Sequence, residues 1–150
     1  MLKPLPPSRW STPQAAHLLN RAGFGGTPGE IAALQALGIE KAVDRLLVGG
    51  EDDDLFPPPE ITQPAELAEQ MRTARAAATE MERRELQKSH RYEQGRQIRA
   101  VRAWWLNRMR YTPFPLREKM TLFWHGHFAT GFQKTNLTFL MWQQNETFRA

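Results

Sequence analysis

Apolar residues recur along most of the chain at three- or four-residue intervals, which is the spacing of one face of an α-helix. The densest example is the stretch from Pro115 to Gly131, PLREKMTLFWHGHFATG. At about 100° per residue its large apolar side chains fall on one side, so we predict an amphipathic helix that turns this side toward the core. The residues of the predicted inner face are Leu116, Met120, Phe123, Trp124, His127 and Phe128. No run alternates with the period of a β-strand over a useful length, so the pattern predicts an all-α fold.

Residues 11–48 are predicted to form a compact unit of three helices, each ended by glycine. Ser11 or Thr12 is expected to cap the first of them. Thr27 and Glu30 have the spacing of a capping box, in which the two side chains satisfy each other's backbone N–H groups at the start of the second helix. The third helix is short, and its predicted buried residues are Ile39, Val43, Leu46 and Leu47.

Two different kinds of segment are predicted between residues 51 and 110. Residues 51–63 are acidic and contain three consecutive prolines, Pro57 to Pro59, which indicates a solvated, semi-rigid linker. Residues 64–110 have a helical pattern with few large apolar side chains, so we predict one long, charged and largely exposed helix. Its C-terminal half is expected to pack on the core, because the apolar face strengthens from Ile98 onward.

The predicted fold is therefore an all-α, irregular multi-helix bundle, with short connections punctuated by glycine and proline and one long exposed charged helix. Its 150 residues suffice for one domain with its own core. Residues 115–150 are expected to complete this domain with the histidine- and aromatic-rich helix and one following helix. Trp104 and Trp105 are interpreted as core residues, although aromatic rings also stack on bases and sugars. The residues expected to share the core are Leu18, Leu34, Leu46, Trp105, Met120, Phe123 and Trp124.

The composition excludes some kinds of chemistry. The chain has no cysteine, which excludes a disulfide framework, a thiolate metal site and a cysteine nucleophile. A zinc or iron site would need histidine and carboxylate ligands, and the identity of any metal or cofactor stays open. The first ten residues, MLKPLPPSRW, lack the apolar run of a signal peptide or membrane span, so we expect a soluble chain that is cytoplasmic by default.

Charge is unevenly distributed in this chain, whose net charge is +4. Residues 51–82 hold nine acids and two arginines, whereas residues 83–110 hold nine lysines or arginines and two glutamates. Pairing between these neighbouring stretches explains the separation and is the interpretation we favour. The alternative is that the basic stretch binds nucleic acid. The residues available for such binding are Arg83, Arg84, Lys88, Arg91, Arg96, Arg99 and Arg102.

Two histidines are the candidate catalytic residues, His125 and His127, because a neutral imidazole serves as a general base or a metal ligand near neutral pH. On a regular helix the two side chains diverge by about 160°. The apolar pattern then predicts that His127 points inward and that His125 is accessible. The alternative is that both histidines are structural. His17, Arg21 and Trp124 are candidates for substrate contacts or for support of the catalytic residues.

Two blocks of the chain carry a family resemblance. The first is AAHLLNRAGFG at residues 15–25, followed by Thr27-Pro28 and Glu30. The second comprises WLNRM at residues 105–109 and PLREKMTLFWHGHF at residues 115–128, with Gln144-Asn145 in a following helix. Together they resemble a bacterial family of uncharacterised proteins called domain of unknown function 1800. The resemblance implies a helical fold, and it implies that the chain is the N-terminal part of a longer protein whose relatives are often exported. It implies no activity for any residue.

Three functional hypotheses follow from these patterns. The first is the N-terminal part of a helical enzyme, hydrolase-like or metal-dependent, whose histidine and aromatic site is completed by residues beyond residue 150. The second is a non-catalytic helical scaffold or protein-interaction module, whose partner is another protein or the remainder of the same chain. The third is nucleic-acid binding through the basic helix. Convergence of the histidines in space would favour the enzyme over the scaffold.

Overall fold

The computed structural model describes residues 3–128 and 130–150, and within them it contains α-helices and no β-strand. This confirms the predicted all-α fold. The helices are α1 (Thr12–Ala22), α2 (Pro28–Ala36), α3 (Ile39–Leu47), α4 (Pro64–Ala76), α5 (Glu80–Tyr111), α6 (Pro115–His127), α7 (Phe132–Thr135) and α8 (Thr138–Arg149). Short 3₁₀ turns occur at Pro7–Arg9 and Asp53–Leu55. Over the described ranges, no helix has both the length and the apolar character that crossing a bilayer requires.

Local interactions explain the start of α2 and its junction with α3, whereas the side chain of Ser11, at the N-cap position of α1, makes no capping hydrogen bond. The Thr27 side chain accepts a hydrogen bond from the Glu30 backbone N–H at 3.3 Å, and the Thr27 N–H donates to Glu30 Oε2 at 2.6 Å. This confirms the predicted capping box of α2. Gly38 then joins α2 to α3 with a φ of 79°, in the left-handed region where a side chain would be strained.

The predicted single helix over residues 64–110 is wrong, because two helices occupy that range. The chain leaves helical geometry after Ala76, and Thr79 caps a new helix, α5. The Glu82 N–H donates to Thr79 Oγ1 at 3.1 Å, and the Thr79 N–H donates to Glu82 Oε2 at 3.2 Å. This is a capping box whose spacing was readable in the sequence. The long charged helix is therefore α5, whose N-terminal half is exposed and whose C-terminal half packs on the core, as predicted.

An apolar cluster joins α1, α2 and α3. Leu34, Ala42 and Leu46 are buried in it, and Leu18 is among the partly buried residues packed against them. The prediction that Val43 and Leu47 are buried is wrong, since both side chains are exposed. The short helix α3 turns Ala42 and Leu46, which are four residues apart, toward α2, and this leaves their neighbours in solvent.

Residues 51–63 lie against α5, so the prediction of a solvated linker is wrong at three positions: Asp52, Phe56 and Thr62 are buried. The Thr62 N–H donates to Gln97 Oε1 at 3.0 Å, and Gln97 Nε2 donates to Thr62 Oγ1 at 2.7 Å. The carbonyl oxygen of Phe56 accepts a hydrogen bond from Trp104 Nε1 at 3.0 Å. These contacts fix an acidic, proline-rich segment whose composition alone favours solvent.

Ion pairs connect the acidic and basic stretches. Arg83 and Arg84 contact Glu80 at 3.2 and 3.0 Å, and Arg108 contacts Asp52 and Asp53. The predicted pairing of the two stretches is therefore present at three of the nine basic residues, while Arg96 pairs with Glu93 of its own stretch. The pairs on Glu80 are exposed, so each stabilises the fold by at most about 1 kcal/mol. The pair between Arg108 and Asp52 is buried and belongs to the candidate site.

Candidate functional site

Helix α6 buries its polar face and exposes most of its apolar face. Glu118 and Thr121 are 1% and 0% exposed, whereas Met120 is 41% and Phe123 is 55% exposed. The predicted inner face of this helix is therefore wrong, and so is the prediction that Met120 and Phe123 belong to the core. Trp124 is half-buried. The helix lies against α8, α5, α1 and α3, and α5 and α8 supply the partners of its polar residues.

A buried carboxylate, Glu118, lies at the centre of the polar face. Trp105 Nε1 donates a hydrogen bond to Glu118 Oε2 at 2.7 Å, and Arg149 Nε donates to Glu118 Oε1 at 2.7 Å. Arg108 Nε lies 3.1 Å from the same Oε1 as an ion pair, although its N–H direction is unsuited to a hydrogen bond. Glu118 therefore joins one arginine from α5 to another from α8.

The opposite side of Arg108 is held by acids that precede α4. Its Nη2 donates to Asp52 and also to Asp53 Oδ1, the second at 2.8 Å. Thr112 Oγ1 donates to Asp52 Oδ2 at 2.5 Å. Burial acts to lower the pKa of Arg108, but the hydrogen bond to Asp53 and the nearby negative charges raise it overall. The Arg108 guanidinium also lies 5.4 Å from the centre of the Trp104 ring, within cation–π distance.

Charge pairing explains why the polar face of α6 is inside. Two buried cations, Arg108 and Arg149, alternate with two buried anions, Asp52 and Glu118. A buried charge without a partner costs several kcal/mol, while a paired and hydrogen-bonded one is tolerated. Turning the aromatic face of α6 inward would separate Glu118 from both arginines. The partners of α6 therefore decide its orientation, and its hydrophobic pattern does not.

His125 lies at the end of this buried network. Asn145 Oδ1 accepts a hydrogen bond from Arg149, which can only donate, so Asn145 Nδ2 is the group that lies 3.1 Å from His125 Nε2. That amide donates, and His125 Nε2 therefore accepts and carries no proton. The imidazole packs against Trp105 and Phe148, with ring centres 4.7 and 5.0 Å apart. Burial first, and then the charge of Arg149, lowers the pKa of His125 below its usual 6.5.

His127 lies on the exposed face of α6, so the predicted inward orientation is wrong for this residue. Its ring is nearly parallel to that of Phe123, with centres 6.1 Å apart, and meets Phe128 edge to face at 4.7 Å. Together with Arg21 of α1 it lines an open groove of about 620 Å³. The lining residues of this groove, hereafter the α6 groove, are Arg21, Lys119, Met120, Leu122, Phe123, Gly126 and His127.

The five candidate residues do not form one site. His125 and His127 diverge as the helical geometry predicts, but with the roles reversed, since His125 is the one that packs inward. Arg21 shares the α6 groove with His127, and His17 is exposed on α1. Trp124 stacks on Phe128, with ring centres 5.6 Å apart. Within residues 3–128 and 130–150, no group of three His, Asp or Glu side chains could hold a metal ion.

Sequence analysis missed the charged residues that organise α6. Arg108 and Glu118 resemble ordinary surface charges when each is considered alone. One pattern could have identified Arg108, since Val101, Trp104, Trp105 and Arg108 have the spacing i, i+3, i+4, i+7 of a single packed face. Asn145 and Arg149, four residues apart on α8, share a face in the same way, but nothing local indicates that this face is buried.

A second groove, of about 570 Å³, lies between α4 and α5. His90 Nδ1 lies 3.2 Å from Gln70 Oε1 there, so this histidine is part of the helix–helix contact. Most of the other lining residues are charged or polar, including Glu66, Glu69 and Arg91. The groove therefore follows the contact between α4 and α5.

Comparison with known protein families gives a match over most of the chain. The model of a family described as "Protein of unknown function (DUF1800)" matches residues 17–150 of the chain. No curated protein and no solved structure matches it. The matched range contains all of the network around Glu118 and all of the α6 groove.

Proposed function

For this chain, which belongs to the DUF1800 family of proteins of unknown function, we propose a role as a protein-interaction module. The observation that carries the proposal is the exposed aromatic face of α6. Met120, Leu122 and Phe123 of α6, and Phe128 directly after the helix, are each at least 40% exposed. Exposed apolar groups scattered singly are ordinary, but a contiguous set on one element is typical of a binding surface.

The aromatic side chains of this face form a connected set. Phe123 meets Trp124 edge to face at 5.0 Å, Trp124 stacks on Phe128 at 5.6 Å, and Phe128 stacks on Phe148 of α8 at 5.9 Å. Ring contacts of this kind restrict side-chain rotation before any partner binds. A partner therefore loses less conformational entropy on binding than it would on a flexible surface.

The buried network keeps the face in position. Glu118 holds α6 to α5 and α8, and Gly23, directly after α1, lies so close to Pro115 that an added Cβ would be 3.2 Å from the proline Cβ. Since α6 cannot rotate without separating buried charges, it presents its aromatic side chains in a fixed orientation. The buried polar residues therefore support binding indirectly, because they fix the orientation of α6.

The proposal is tested with a synthetic helical peptide that carries leucines at i, i+4 and i+7 and glutamine elsewhere. We expect saturable binding, with amide-exchange protection on residues 119–128. Phe123→Ser should weaken binding about tenfold or more, since it removes an aromatic anchor. Leu106→Ser is the matched control, because Leu106 is an apolar residue of α5 that is at least as exposed as Phe123, and this variant should bind the peptide as the wild type does.

Two results would contradict this role. One is the absence of binding at millimolar peptide. The other is binding that protects α4 and the N-terminal half of α5 and is unchanged by Phe123→Ser, which would place the interaction surface on the charged helices.

The position of His127 favours a second candidate function, in which the chain forms part of an enzyme site. Its imidazole is exposed in a groove that also contains Arg21 and Lys119, so groups from another polypeptide could meet it there. An exposed imidazole is available as a general base in a way that the packed ring of His125 is not. If the chain has an enzymatic activity in complex with such a polypeptide, this candidate predicts that His127→Gln abolishes the activity. Peptide binding should persist in the same variant. Retention of the activity in His127→Gln would contradict this second candidate.

A further inference from the structure

We infer that the partner of the α6 groove is an acidic amphipathic helix, whose apolar residues pack on Phe123 and whose carboxylates lie beside Arg21 and Lys119. This rests on the proposed role as a protein-interaction module and specifies the chemistry of the partner. The charge and backbone of the groove carry the inference.

The charged residues that line the groove are both cations. Arg21 and Lys119 line it, and no aspartate or glutamate does. Among the described residues, neither cation lies within 4.0 Å of a carboxylate. The Lys119 ammonium is held instead by uncharged groups, the Asn20 carbonyl oxygen at 3.4 Å and the face of Phe24 at 5.1 Å. Two positive charges at the edge of an apolar groove favour a partner that brings negative ones.

The backbone of the groove favours a helical partner over an extended one. An extended peptide gains affinity by adding to an exposed row of backbone N–H and C=O groups at a sheet edge. In α6 these groups are paired within the helix, so a partner is recognised by its side chains alone. Met120, Phe123 and His127 are spaced i, i+3, i+7 and therefore lie along one face of α6, against which a second helix can pack.

A second copy of the chain is a poorer occupant on grounds of charge. In a two-fold symmetric dimer the same surface meets itself, so Arg21 and Lys119 would face their own counterparts. Like charges across an interface weaken it, and the net charge of +4 adds long-range repulsion. A heterologous acidic helix avoids both effects.

The test compares three forms of one helical peptide by fluorescence anisotropy. All carry leucine at i, i+4 and i+7, and the flanking positions hold glutamate, glutamine or lysine. We expect the glutamate form to bind about fivefold more tightly than the glutamine form at low salt, and the lysine form to bind more weakly than both. The advantage of glutamate should shrink as salt is raised.

Matched variants of the protein show which residues produce the preference for the glutamate peptide. Arg21→Gln should reduce the advantage of the glutamate peptide while leaving the glutamine peptide unchanged. Arg102→Gln removes an exposed arginine of α5 that does not line the groove. It should reduce neither the advantage of the glutamate peptide nor the affinity for the glutamine peptide. If Arg102→Gln matched Arg21→Gln, the charge effect would be a property of the whole chain, and the inference would be overturned.

The outcomes separate the inference from the function on which it rests. If all three peptides bind equally, the acidic partner is wrong and the interaction module stands. If none binds, the proposed function itself fails. If sedimentation shows a dimer that Phe123→Ser converts to a monomer, the occupant is a second copy and the acidic helix is overturned.

Discussion

Asn145 and His125 are joined side chain to side chain, with Asn145 Nδ2 3.1 Å from His125 Nε2. Because Arg149 donates to the other end of the same amide, the direction of every hydrogen bond in this chain of contacts is determined. His125 thus closes a path that runs from Glu118 through Arg149 and Asn145 back to α6. It is held as a neutral acceptor inside the fold.

The first prediction concerns the two histidines of α6. His125→Ala should lower the free energy of unfolding by about 1–3 kcal/mol, because it leaves the buried amide of Asn145 without its acceptor. His127→Ala should change it by less than about 0.5 kcal/mol, since this side chain is exposed. Urea unfolding of the two variants measures both. Greater loss in His127→Ala than in His125→Ala would show that α6 is oriented the other way.

The second prediction concerns pH. Burial and then Arg149 lower the pKa of His125, so below its usual value of 6.5 the unfolded chain binds a proton that the folded chain resists. The contribution of His125 to the free energy of unfolding is therefore complete above about pH 6.5, and it is lost as the pH falls through the lower folded-state pKa. Urea unfolding at several pH values should show a larger loss between pH 7.5 and 5 in the wild type than in His125→Asn. An unchanged pH dependence in His125→Asn would contradict this assignment.

The third prediction concerns the buried arginine of α5. Arg108→Ala removes the partner of Asp52 and weakens the pairing of Glu118, so it should cost about 3–5 kcal/mol. Arg102→Ala, on an exposed turn of the same helix, should cost no more than about 0.5 kcal/mol. Thermal unfolding compares the two. Similar melting temperatures for both variants would mean that the network around Glu118 does not hold α6.

The fourth prediction uses two adjacent glycines. A Cβ at Gly50 would overlap the ring of Phe114, while a Cβ at Gly49 would meet no atom within 4 Å. Gly50→Ala should therefore destabilise the fold by about 1–3 kcal/mol, because Phe114 or the backbone has to shift. Gly49→Ala should have little effect, which a melting curve of each variant would show. Equal melting temperatures would show that the contact between Gly50, after α3, and Phe114, before α6, is loosely packed.

The parts of the fold that follow from neighbouring residues were predictable. Thr27 and Glu30 interact across three positions, and Gly38 supplies a left-handed turn by itself, so both are visible in the sequence. The boundary at Thr79 has the same local origin and was overlooked. The all-α class follows from a helical period that is present along nearly the whole chain.

The candidate site was less predictable because its contacts are long-range. Arg108 and Asp52 are 56 positions apart, and Arg149 and Glu118 are 31 apart. A hydrophobic pattern assigns charged residues to solvent unless their partners are known, so it placed Phe123 on the inner face and left Glu118 off that face. The divergence of His125 and His127 was predicted, since it depends on helix geometry alone. Which of them packs inward was not, since that depends on Asn145 in another helix.

The orientation of α6 is tested most directly by thiol labelling, because the chain has no native cysteine. Single replacements Phe123→Cys and Thr121→Cys place one thiol on each face of the helix, two residues apart. We predict that Phe123→Cys reacts with a thiol reagent nearly as fast as the same variant in denaturant. Thr121→Cys should react slower by roughly a hundredfold or more, since its labelling requires local opening. Fast labelling at position 121 together with protection at position 123 would contradict the buried polar face, and with it the exposed aromatic surface on which the proposed function rests.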